Sequence, residues 1–198
     1  MIPFLAIEPF WRTGLAGAAV SMPMYVLTAL YVFLSVRRLT HNSIAGFIGA
    51  LTFVLNPNVL YLQATPLTEV LAAATITSST YYFLSWIQDQ KPQQLLYLAI
   101  ATFLATLSRY DGWALAAGFM ALIPVITFIK QRKLSRIEAN VIIFALLGCL
   151  GIALWFMWCA LILGDPLYFQ RSEFSAQAQQ QAFIDNGTLY TYHNVVQA

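Results

Sequence analysis

Asn56-Pro57-Asn58-Val59-Leu60-Tyr61-Leu62-Gln63-Ala64-Thr65-Pro66-Leu67-Thr68-Glu69 separates two apolar segments of this chain, and its reading decides how both are folded. It gathers two prolines, two asparagines, a glutamine, two threonines and a carboxylate in a sequence otherwise suited to lipid. An ionisable group at membrane depth normally needs a partner or a water-filled cavity, so a glutamate carried into the first turn of a span marks a candidate functional edge. The rest of the chain reads as the scaffold that holds this edge.

Outward from that stretch, composition sets the class. Of 198 residues, 60% are hydrophobic and 9% charged, against about 25% charged in soluble domains. The fold class is therefore all-α, a polytopic transmembrane helix bundle. A net charge of +2 without a basic run excludes nucleic acid as a partner and leaves membrane lipids as the surroundings. Cys149 and Cys159 fall in one apolar segment, about 15 Å apart along a helix axis, too far to bridge. His41 and His193 lie near opposite ends of the chain. Met1 to Phe10 lacks a basic leader, and Glu8 and Arg12 interrupt its apolar run, so no cleavable signal is expected there.

Apolar length predicts roughly six spans. Gly14 to Val36 forms the first, stopped by Arg37-Arg38. Ile44 to Leu55 is short and ends at Asn56-Pro57, which predicts a broken helix continuing through Val59 to Leu62. Leu67 to Ile87, Gln93 to Ser108, Asp111 to Ile129 and Ile137 to Leu163 follow. Residues 1–163 thus form a membrane bundle, and 164–198 an outward loop and tail.

Alternating the connections across the bilayer places Arg37, Arg38, Lys91, Lys130, Arg132, Lys133 and Arg136 on one side, seven of the ten Lys and Arg. That side is cytoplasmic by the positive-inside rule, so both termini face out. The acids divide the other way: Glu8, Glu69, Asp111, Asp165, Glu173 and Asp185 fall outside, Asp89 and Glu138 inside. Acids contribute little to orientation, so a ligand-binding outer face is one reason for this second asymmetry. The Asn56 to Glu69 stretch, Arg109-Tyr110-Asp111-Gly112-Trp113 and Gly164-Asp165-Pro166-Leu167-Tyr168-Phe169 all share the outer rim.

Each motif has two readings. Glu69 can simply complement a helix dipole, with Pro66 at the first helical position and Thr65 as cap. Arg109 can close one helix and Asp111 cap the next. Alternatively, Arg109 can grip a phosphate, which the guanidinium fork matches, while Asp111 holds a sugar hydroxyl. Tyr110 and Trp113 suit either interfacial anchoring or stacking on a pyranose ring. Asp165 sits in a Gly-Asp-Pro stop as a turn residue or a ligand. Ser175 to Phe183 suits a short surface helix or a glutamine-rich loop. Gly14/Ala18 and Gly148/Ile152, with Gly151 nearby, suit close helix packing. No phosphate-binding glycine loop, HExxH, nucleophile elbow or Ser-His-Asp arrangement is present.

With these residues in place, the order Asn56-Pro57-Asn58, Leu60-Tyr61, Thr65-Pro66-Leu67-Thr68-Glu69, Arg109-Tyr110-Asp111-Gly112-Trp113 and Gly164-Asp165-Pro166-Leu167-Tyr168-Phe169 resembles the GT-C superfamily of integral-membrane glycosyltransferases. The likeness is to the family-39-like group, which includes protein O-mannosyltransferases and the aminoarabinose transferases of lipid A. It implies transfer of a sugar from a polyprenyl-phosphate carrier to a lipid, glycan or protein acceptor on the outer face, with inversion. Glu69 and Asp111 are the catalytic candidates it marks, and Arg109, Tyr110, Asn58, Tyr61 and Asp165 the substrate-binding ones. No cofactor is implied firmly, and a divalent metal is left open.

The family's principal acid lies in a first outer loop, which Ile7-Glu8-Pro9-Phe10-Trp11 does not match, so the chain is expected to be a middle portion of such an enzyme. The alternative is a non-catalytic membrane module that binds a lipid carrier or a partner subunit. A transporter fits less well, because the two halves show no hydropathy repeat and no span centre carries a charge.

Overall fold

The computed structural model describes residues 15–65, 67–173 and 175–186, and Glu8, Arg12, Gly14, Pro66 and His193 lie outside them. The first helix, α1 (Leu15–Thr40), carries the Arg37-Arg38 pair in its last turn and continues past it to Thr40. A tight turn leads into α2 (Ser43–Val54), whose N-cap Asn42 accepts the Ile44 amide through Oδ1 at 2.8 Å. Asn56 and Pro57 then do two jobs. Proline cannot continue the hydrogen-bond ladder of α2, yet it suits the first turn of a new helix. Asn56 Oδ1 caps that helix, α3 (Pro57–Gln63), by accepting the Asn58 amide at 3.0 Å. The two helices meet at 68°, the broken helix expected from the sequence. Tyr25 of α1 braces the break by donating to the Val54 carbonyl at 2.8 Å.

The next helices form a close-packed group: α4 (Glu69–Asp89), α5 (Pro92–Ser108), α6 (Asp111–Gln131) and α7 (Leu134–Gly148). α4 packs on α1 and α5, and α7 packs on α5 and α6. Phe83 and Trp86 of α4, Leu95 and Leu98 of α5, Phe119 and Ile123 of α6, and Phe144 of α7 make one buried cluster. The Phe83 and Phe119 rings approach to 4.5 Å, and Phe144 meets Phe119 edge-on. Lipid tails are as apolar as leucine, so this cluster is held by packing contacts rather than by exclusion of water. Asn140 of α7 adds a hydrogen bond to Thr127 Oγ1 of α6 at 3.1 Å.

Length and composition make α1 and α6 capable of crossing a membrane, and the bent pairs α2 with α3 and α7 with α8 (Leu150–Leu163) also qualify when each is one broken span. That is up to four spans where the sequence suggests about six. The difference lies in α4 and α5. α5 has 17 residues, and Thr75, Thr77, Ser78, Ser79 and Thr80 dilute the middle of α4. These hydroxyls donate to carbonyls three or four residues earlier, as Ser79 does to Thr75 at 2.8 Å. With Ala72, Ala74, Thr75, Ser78 and Ser79 buried against neighbouring helices, α4 faces protein where an outer span would face lipid. The long apolar segment Ile137 to Leu163 is likewise interrupted: α7 stops at Gly148 and Cys149 separates it from α8.

The ends of these helices sort the charges. Arg38 pairs with Asp89 at 2.7 Å, Lys130 Nζ donates to the Ile87 carbonyl and Gln131 to Gln90 Oε1 at 2.9 Å. The C-termini of α1, α4 and α6 therefore share one end of the bundle, which gathers the basic connections. Glu69, at the N-terminus of α4, belongs to the other end.

The chain divides into two compact units, Met1–Ile152 and Ala153–Ala198. Within the second, α9 (Tyr168–Arg171) and α10 (Ala176–Asp185) follow α8. Ser175 caps α10 by accepting the Ala178 amide at 3.1 Å, so the glutamine-rich tract is helical. Cys149 and Cys159 are free thiols.

Candidate functional site

α5 ends where Arg109 swings into an extended conformation, φ −157° and ψ 158°, and Tyr110 is the N-cap of the next helix, so only these two residues make the turn. So sharp a reversal needs the two helices nearly in contact. Gly112 permits it, because a Cβ there would meet the backbone of Ala105 and stand 2.7 Å from the Thr106 nitrogen. Trp113 clamps the same reversal by donating its indole N–H to the Thr106 carbonyl at 3.1 Å.

The turn throws the Arg109 side chain across to the first turn of α4. Arg109 Nη1 lies 2.8 Å from Glu69 Oε1, and Nε lies 3.1 Å from Asp111 Oδ2. One guanidinium thus joins its near neighbour Asp111 to Glu69, a carboxylate 40 positions earlier in the sequence. Glu69 Oε2 is enclosed and has no hydrogen-bond partner among the described residues. The helix-end readings hold in part: Arg109 is the C-cap of α5, and Glu69 and Asp111 stand in the first turns of α4 and α6, but the expected side-chain caps are not formed. Thr68, not Thr65, is the N-cap of α4 and makes no side-chain cap bond; the Thr65 hydroxyl donates to Leu62. Asp111 is the first residue of α6 rather than its cap, and its carboxylate serves Arg109. Among the described residues, no three His, Cys, Asp or Glu side chains gather as a metal site would require.

Other candidates surround this cluster unevenly. The Tyr110 ring meets Trp113 edge-on at 5.1 Å, beside the ion pairs. Asn58 and Tyr61 stand exposed on α3, and among the described residues no hydrogen bond ties either to Glu69, Arg109 or Asp111. The segment before Glu69 is anchored by Ser21 of α1, which donates to the Thr65 carbonyl at 3.0 Å. Asp165 belongs to the second unit, where Oδ1 accepts the Leu167 amide at 2.9 Å and Oδ2 pairs with Arg171 at 3.4 Å, the contacts of a turn residue.

A groove that no sequence motif marks adjoins the cluster. It has a volume of about 560 Å³ and runs between α1, α4 and α5, with Leu71 and Ser108 at one end and Tyr31, Tyr82 and Tyr97 at the other. Leu71 lies two positions beyond Glu69, and Ser108 immediately precedes Arg109, so this end of the groove is at the level of the ion pairs, although none of the three charged residues lines it. Leu71 to Tyr82 spans roughly 16 Å of helix. Its walls are largely aliphatic, with Met24, Leu27, Ile100 and Leu104 among them. Tyr31 and Tyr82 close the far end with a hydroxyl–hydroxyl bond of 3.0 Å. The signal available in sequence was the Tyr81-Tyr82 pair inside a span, with Tyr31 and Tyr97 at comparable depth.

Among the described residues the chain is all-helical, with apolar helices able to cross a membrane, as in an integral-membrane protein. Residues 5–159 match the dolichyl-phosphate-mannose-protein mannosyltransferase family, and the chain belongs to that family. The family is one of membrane glycosyltransferases of the mannosyltransferase type, which use a lipid-linked sugar donor. Among curated proteins and solved structures no match was found.

Proposed function

We propose that this protein transfers a sugar of the mannosyl type from a polyprenyl-phosphate carrier to a lipid, glycan or protein acceptor at the outer face of the membrane. The observation that carries the reading is the Arg109 guanidinium held between Glu69 and Asp111, at the same level of the bundle as one end of the apolar groove. A polyprenyl phosphate needs an apolar channel for its chain and a cation for its phosphate, and the groove and Arg109 fit those two needs.

The resting ion pairs suggest how the charges are used. A phosphate arriving at Arg109 competes with the carboxylates for the guanidinium fork, whose geometry suits phosphate oxygens. Glu69 is then released to take the proton of the acceptor hydroxyl as general base. The acceptor oxygen attacks the anomeric carbon, the bond from that carbon to the phosphate oxygen breaks with inversion, and the polyprenyl phosphate departs with its new charge on Arg109. Asp111, whose side chain is 70% exposed, holds a sugar hydroxyl in this scheme. Tyr110, beside the ion pairs, and Asn58 and Tyr61 on α3 are its further candidate ligands.

The test is transfer of labelled mannose from polyprenyl-phosphate mannose in membranes carrying the full gene product, with Glu69→Gln as the comparison. The expected result is transfer that the variant loses. Full transfer by Glu69→Gln would overturn the role of Glu69, and carrier binding without any turnover would identify a binding module in place of a transferase.

A further inference from the structure

The opposite end of the bundle holds a second, polar pocket of about 470 Å³ that takes no part in the proposed transfer. It lies between the end of α1, the start of α2 and the last turns of α4. Arg37, Arg38, His41, Ser43, Tyr81 and Gln88 line it. We infer that this pocket binds the phosphate of an anionic membrane lipid.

The charge balance points to a single anion. Arg38 spends one N–H on Asp89 at 2.7 Å, while its Nε–H is enclosed and unpartnered among the described residues. Asp89 is further engaged by Gln94. Arg37 has no ion pair among the described residues, and its guanidinium lies 5.4 Å from the centre of the Phe33 ring, a stacking contact that leaves its N–H groups free to donate. Two guanidiniums face one carboxylate, so the pocket carries one uncompensated positive charge, which a phosphodiester monoanion matches. Ser43, Tyr81 and Gln88 supply neutral donors around it. Lys130, held against α4 at this same end, adds to the field.

Depth decides the source of the phosphate. α1 has 26 residues, about 39 Å of helix, so its last turn reaches past a hydrocarbon core of about 30 Å to the headgroup level. Basic pockets between helices at that level are where anionic headgroups are held. Free phosphate would need no such placement.

The experiment uses the full chain in phosphatidylcholine nanodiscs, with or without phosphatidylglycerol, released into native mass spectrometry. The wild-type protein is expected to retain phosphatidylglycerol and no comparable phosphatidylcholine. Arg37→Gln leaves the Arg38–Asp89 pair intact and is expected to lower retention about fivefold, the effect of one basic group near the surface. Ser43→Asp is the second variant. An acid at the first position of α2 suits the helix dipole, yet it fills the pocket with negative charge, and it must lower retention at least as far. Equal retention by either folded variant overturns the proposal. Displacement of the lipid by millimolar inorganic phosphate overturns the lipid assignment.

Discussion

Arg109→Gln separates two readings of the ion-pair cluster, because they predict losses of different size in different assays. As structural struts, the bonds from Arg109 to Glu69 and Asp111 contribute little. The three side chains are 40%, 41% and 70% exposed, and exposed pairs are worth about 0.2–1 kcal/mol each. Removing the guanidinium should therefore lower the melting temperature by roughly 2–4 °C. As the group that receives the departing phosphate, Arg109 meets a charge that develops only during the reaction. Loss of one such preorganised donor costs about 10²–10³ in rate. The assay is the initial rate of mannosyl transfer alongside the thermal melt of the same preparation. Glu69→Gln and the double variant complete a cycle: if both residues act in one step, the double variant should fall little further than either single one. Activity within about threefold of wild type for Arg109→Gln would refute the reasoning, since no charge-stabilising role is that small. A fall in melting temperature beyond about 10 °C would also refute it, because the pair would then be structural.

Gly112→Ala should disrupt the same site from outside it. Its Cβ would press on the backbone of Ala105 and Thr106, and such overpacking costs about 1–3 kcal/mol, read as a lower melting temperature and weaker transfer together. Gly151→Ala should be destabilising for a different reason, since its Cβ would collide with the Thr106 hydroxyl. Adding Thr106→Ala should restore most of the loss in the melt, and strict additivity of the two changes would contradict the contact. Ala101→Phe should obstruct the groove, raising KM for long-chain polyprenyl carriers while leaving short-chain ones nearly unchanged. An equal effect on both would place the chain elsewhere.

Much of this organisation is legible in one dimension because it depends on local chemistry. Asn56-Pro57 must break a helix, since proline lacks the needed N–H and asparagine caps the succeeding turn, and α2 and α3 meet there at 68°. Arg37-Arg38 mark the last turn of α1, which runs on to Thr40, and a chain that is 60% hydrophobic reads as a helical membrane protein. The sorting of charges between the two ends of the bundle comes from counting spans, and the ties among the ends of α1, α4 and α6 obey the same alternation.

Tertiary structure decided what the charges do. Read locally, Glu69, Arg109 and Asp111 were each adequate helix-end residues, and nothing in their spacing distinguishes a cap from a partner forty residues away. Only the antiparallel packing of α4 and α5, with the α5–α6 reversal allowed by Gly112, brings one guanidinium within 2.8 and 3.1 Å of two carboxylates. The groove left no trace in sequence beyond its tyrosines, because it is a gap between three helices and its other walls read as ordinary core positions. α4 likewise looked like a span of any kind, until its packing on both sides showed why its hydroxyls sit where lipid-facing residues would otherwise be. A sequence specifies which groups are available and which local structures they favour, whereas distances across helices depend on how side chains interlock, and that is where this site is made.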